Sequence, residues 1–110
     1  MGRNQLDLGR FAEPALLILI SLADQPRHGY AMMEDIVEFS GVKLGPGTLY
    51  GAIARLEERG FIEAVDSGDR RRPYRITDVG RTALAEHLDN MTSVTTAGLQ
   101  RISQNGKRAS

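Results

Sequence analysis

The hydrophobic positions of this chain fall into blocks with different spacing, and each block predicts an element. Residues 15–23 read Ala-Leu-Leu-Ile-Leu-Ile-Ser-Leu-Ala. A helix with that sequence is apolar nearly all round and should be buried on more than one side. Glu13-Pro14 starts it, since proline suits the first helical turn, and Asp24-Gln25-Pro26-Arg27 breaks it. Tyr30, Met33, Ile36 and Val37 then recur at helical spacing, with Glu34, Asp35 and Glu38 left for water. They predict a second helix from about Gly29–Tyr30 to Phe39, closed by Ser40-Gly41. A third starts at Gly45-Pro46, carries the stripe Leu49, Ile53 and Leu56, and stops at Gly60, the residue type expected just past a helix.

The pattern then shortens. Phe61–Val65 and Tyr74–Thr77 flank the polar stretch Asp66–Arg72 and predict a hairpin with a basic tip. Pro73 has no amide donor, so the second strand is expected to be an edge there. Thr77 has the character of a helix N-cap, and Asp78 behind it suits the positive end of a helix dipole. The fourth helix runs from Asp78 into the nineties on the stripe Leu84, Leu88 and Met91, which weakens at Thr95 and Gly98. Residues 1–12 read as a loosely held arm, and 104–110 as a disordered tail.

The order helix, helix, helix, hairpin, helix implies a mainly α (α+β) fold: a winged helix-turn-helix over residues 13–77, followed by a C-terminal dimerisation helix over 78–103. In that arrangement the third helix enters the major groove of double-stranded DNA, and the hairpin, or wing, reaches the neighbouring backbone or minor groove. With Leu49, Ile53 and Leu56 turned inward, Gly47, Thr48, Gly51 and Arg55 face outward together. Small residues allow close approach, and Arg55 can take guanine or a phosphate. Tyr50 on the flank can bond a phosphate through its hydroxyl. The wing offers Arg70, Arg71, Arg72 and Arg75, but side chains alternate along a strand, so they cannot all address one groove.

Composition narrows the choice. A chain of 110 residues suits one domain. It has no Cys, and His28 and His87 stand far apart, so neither a disulfide, a thiolate centre nor a metal site is expected. Glu57 and Glu58 point about 100° apart on a helix and make no catalytic dyad. With no nucleophile–base pair and no phosphate loop, an enzyme is disfavoured and no cofactor is expected. The 14 basic residues balance the 14 acidic ones, so any hold on DNA must come from local patches. That neutrality also keeps open a winged-helix protein-interaction adaptor without DNA binding. The apolar run of residues 15–20 is too short to cross a membrane, and a cytoplasmic location is expected.

The first helix is apolar on more sides than one small domain should cover, and the fourth is longer than a cap for the wing needs. A homodimer interface of Leu16, Leu17 and Ile20 against Leu84, Leu88 and Met91 is therefore expected.

Three stretches carry a family resemblance. Leu44 through Ile62 is similar to the recognition helix of PadR-type transcriptional regulators. Asp69 through Thr77, with Gly80, resembles their wing and following helix start, and His28-Gly29-Tyr30 resembles their entry into the second helix. The resemblance covers roughly residues 11–90. It implies a homodimer whose last helix packs on the partner's first helix. It also implies repression of nearby genes, often relieved by a small-molecule effector; a dimer of this kind is expected to read an operator with two half-sites.

Overall fold

The computed structural model describes residues 13–66 and 72–109. Helix α1 (Pro14–Leu22) and helix α3 (Pro46–Glu58) each begin on a proline, whose missing amide would have had no helical partner there. Between them, α2 (Gly29–Ser40) ends on Gly41 at φ 76°, with the Gly41 N–H donating to the Val37 carbonyl at 2.8 Å. That left-handed cap turns the chain from α2 into α3, as a helix-turn-helix requires. Gly60, at φ 79°, ends the last turn of α3 in the same way. The chain then enters β1 (Ile62–Ala64), which pairs antiparallel with β2 (Tyr74–Ile76), Ile62 opposite Ile76 and Ala64 opposite Tyr74. Helix α4 (Asp78–Ala109) follows at once.

The core forms around α1, six of whose nine residues are buried. Ile18 and Leu22 lie at its centre, with Met32 and Ile36 from α2, Leu49 and Ile53 from α3, Ile62 and Ile76 from the strands, and Leu84 from α4. One chain therefore encloses the all-round apolar helix, using α2, α3, β2 and the start of α4 together. Within the single chain Leu16 and Leu17 are already 9% and 5% exposed, and Leu84 6%. Four elements converging on one short helix cover more surface than the sequence order suggests.

Two expectations are corrected. Strand β2 is not an edge beside Pro73. The main chain of Arg27 adds on its far side, donating to the Tyr74 carbonyl at 3.1 Å and accepting from the Tyr74 N–H at 2.9 Å. Along a strand, backbone groups alternate in direction. Pro73 offers its carbonyl to Val65 on the β1 side, whereas Tyr74 turns to Arg27, so the absent proline donor blocks nothing. The second correction concerns α4, which continues through 104–109 instead of fraying there. Gly98 costs a helix only about 1 kcal/mol, Ala97, Leu99, Gln100 and Arg101 around it are good helix formers, and no proline follows Pro73.

The junction between wing and α4 is tight. The Thr77 hydroxyl accepts the Gly80 N–H at 3.0 Å and donates to the Gly60 carbonyl at 2.6 Å, so one side chain caps α4 and fastens it to the end of α3. Gly80 lies against the Phe61 main chain, where a Cβ would strike the carbonyl group. Gly80→Ala is expected to lower stability by about 1–3 kcal/mol, because backbone must move. Thr77→Ala is expected to cost about 1–2 kcal/mol, with Thr77→Ser recovering most of it. Urea denaturation checks both, and a Gly80→Ala protein as stable as the parent would contradict the packing described.

Candidate nucleic-acid interface

Helix α3 turns Leu49, Ala52, Ile53 and Leu56 into the core. The same turn of the helix leaves Gly47, Thr48, Tyr50, Ala54 and Arg55 exposed and Gly51 half-buried. The outward grouping of Gly47, Thr48, Gly51 and Arg55 is thus present as a surface. Long side chains on a helix lean toward its N-terminus, and the Arg55 guanidinium lies back over Gly51, 3.8 Å from where a Cβ would stand. Among the described residues Arg55 has no side-chain hydrogen bond or ion pair, so its donors face solvent.

The charge along α3 has a direction. Its first turn carries no acid, its N-cap Gly45 offers no side-chain cap, and Arg55 is the basic residue of its last turn. The exposed Glu57 and Glu58 follow at the C-terminal end, beside a shallow depression shared with Ala54 and Arg55. An anion is therefore favoured at the N-terminal half of α3 and opposed at its C-terminal end.

Tyr50 has a second contact beyond its half-exposed surface. The hydroxyl end of its ring rests against Gly29, leaving no room for a Cβ there. It ties the middle of α3 to the start of α2 and holds the two helices of the motif together.

The wing arginines divide. Arg75 is held across the strand pair by Glu63, Nε to Oε2 2.7 Å, so its charge is already matched. Arg72 is exposed beside Tyr74, and Arg70 and Arg71 lie outside the described residues. The Tyr74 phenol has its pKa raised above the ordinary value, first by burial and then by the nearby Glu57 carboxylate, with Arg72 opposing.

Of the residues expected at a dimer contact, Leu16, Leu17 and Leu84 belong to the chain's own core, while Ile20 and Met91 are partly exposed and Leu88 is 36% exposed. Further along α4, Val94, Leu99 and Ile102 present apolar side chains to solvent. The expected interface left them out although they lie within the helix expected over 78–103; the spacing Leu84, Leu88, Met91, Thr95, Gly98, Ile102 was the available signal for Ile102. It also missed the polar group under the wing, where the Ser21 hydroxyl donates to Asp35 Oδ2 at 2.7 Å and Arg27 lies 3.5 Å from Asp35 Oδ1. No group of three or more His, Cys, Asp or Glu side chains suited to a metal occurs among the described residues. No helix among them is long and apolar enough to cross a membrane.

Comparison with known proteins agrees with this geometry. Residues 18–86 match the model of the transcriptional regulator PadR-like family. A transcriptional regulator of Mycobacterium tuberculosis is 39% identical over 74 residues, covering 64% of this chain and 68% of that protein. An uncharacterised transposon protein of Streptomyces fradiae is 42% identical over 82 residues, 74% of this chain, and the match spans only 24% of that longer protein. Among solved structures, a PadR family transcription regulator of Clostridium difficile superposes with a TM-score of 0.72 at 26% identity, covering 81% of this chain and 97% of that one. The outward face of α3, the wing behind it and these matches together place the chain in the PadR-like family of transcriptional regulators.

Proposed function

We propose that the protein is a homodimeric repressor of nearby genes that docks α3 in the major groove of an operator with two half-sites. The observation that carries this reading is the surface of α3, where Gly47, Thr48 and Gly51 leave a low, uncharged face and Arg55 stands over it without a protein partner among the described residues. A helix with this face admits the groove floor, and the guanidinium can pair with a guanine edge or a phosphate. The open amides at the start of α3 and the Tyr50 hydroxyl suit the flanking phosphates. The basic run 70–72 suits the adjacent backbone. Arg75 contributes least, because engaging DNA would mean giving up Glu63.

A half-site pair calls for two copies. The occupant proposed for the exposed part of the α4 stripe is α4 and the Ile20 side of α1 from a second copy, meeting Leu88, Met91, Val94, Leu99 and Ile102. Such a dimer spaces two recognition helices about one turn of DNA apart, and a small-molecule effector that shifts the dimer would change that spacing. The regulator acts where DNA is, in the cytoplasm.

Fluorescence anisotropy over a salt series, with duplex DNA from upstream of the protein's own gene against scrambled duplex, tests the reading. Preference for the upstream DNA, weakening as salt rises, is expected. Arg55→Ala should lose about 1–3 kcal/mol of binding, and Arg75→Ala clearly less. Equal affinity of Arg55→Ala and parent would contradict groove reading, and no retention on DNA at all would favour the adaptor. Light scattering at micromolar concentration should give a dimer, and Leu99→Glu with Ile102→Glu should give a folded monomer. A parent chain that scatters as a monomer would remove the dimer from the account.

A further inference from the structure

The connection between α1 and α2 touches both surfaces assigned to DNA. The main chain of Arg27 pairs with Tyr74 of the wing, through two hydrogen bonds of 3.1 and 2.9 Å. Two residues on, Gly29 receives the Tyr50 ring of α3. The Arg27 side chain runs into the body of the protein, 14% exposed, with Nη2 3.5 Å from both Asp35 Oδ1 on α2 and Asp24 Oδ1 in its own loop. Asp35 is fixed in turn by the Ser21 hydroxyl of α1, which is 1% exposed. Residues 27–29 therefore join the wing, α1, α2 and α3 within one short segment.

We propose that the Arg27–Asp35 pair is a positioning device that sets the wing against α3, so that both engage DNA at once. This rests on the DNA-binding reading above. The strand pair is three residues long on each side, and a two-stranded ribbon of that length is marginal alone. Arg27 adds a single bridging residue on its far side, and the orientation of Arg27 follows from its guanidinium. The pair is a poor source of net stability: both charges give up water, and Nη1 of Arg27 is buried without a hydrogen-bond partner among the described residues. What it supplies is orientation. Neither side chain is assigned to touch DNA.

Asp35→Asn tests this with an unusual sign. Removing a negative charge should, by long-range electrostatics alone, strengthen DNA binding. The positioning role requires the reverse: affinity falling by on the order of tenfold, with the salt slope shallower by about one for each phosphate contact the wing loses. It also requires that Arg72→Ala, which weakens the parent, adds nothing further in the Asp35→Asn background. Arg27→Gln provides the same cycle from the other partner, should Asp35→Asn not fold. Unchanged or tighter binding by the folded variants, or losses that add with Arg72→Ala at an unchanged salt slope, would overturn the positioning role while leaving the DNA-binding reading intact. A parent protein with no preference for its upstream DNA would overturn both.

Discussion

Four of the other five elements of this fold, α2, α3, β2 and α4, are placed against α1 by the need to bury it. In this nine-residue helix seven of the eight positions after the proline are Leu, Ile or Ala, a surface that water disfavours, and even the eighth, Ser21, is buried. At about 25 cal/mol per Å² of apolar surface removed from water, covering it is the largest gain on offer to a chain this small. α2, α3, β2 and the first turns of α4 each give one apolar face to it. Their opposite faces are thereby fixed outward, and the surface proposed to read DNA is one of these. Gly47, Thr48, Gly51 and Arg55 are exposed because Leu49, Ile53 and Leu56 are not.

Charge then bears on which part of that outward surface the proposed DNA contact uses. A neutral chain cannot hold a phosphate backbone by its overall field. The molecule instead separates its charges locally. Acids are absent from the first turn of α3 and gather at its end as Glu57 and Glu58, while some arginines are matched internally, Arg75 by Glu63 and Arg27 by Asp35. Arg55 and Arg72 remain on the surface. A count of basic residues in the wing therefore overstates what it presents, since one of them is engaged across the strands.

The element order and the inward stripe of α3 were legible because helical periodicity and the glycine stops at Gly41 and Gly60 are local properties of sequence. The same is true of the Thr77 cap, whose bond to the Gly80 N–H spans three residues. What was not legible depends on contacts between distant segments. Nothing near Arg27 announces that its main chain extends the wing past Pro73, and nothing in the apolar run of α1 says that a single chain encloses Leu16 and Leu17. The last part of α4, 104–109, was missed for a different reason. Thr95 and Gly98 weaken the stripe and lower local helix propensity without ending the helix, which runs about 48 Å for its 32 residues.

The most direct test of the account is an NMR titration of the isotope-labelled protein with duplex DNA from upstream of its own gene. The largest amide shifts should fall on Gly47, Thr48, Gly51 and Arg55 and on the wing around Arg72, while the buried amides of α1 stay nearly still. Shifts confined to α4 or the outer face of α2, with the α3 surface unmoved, would contradict the claim that this face reads DNA.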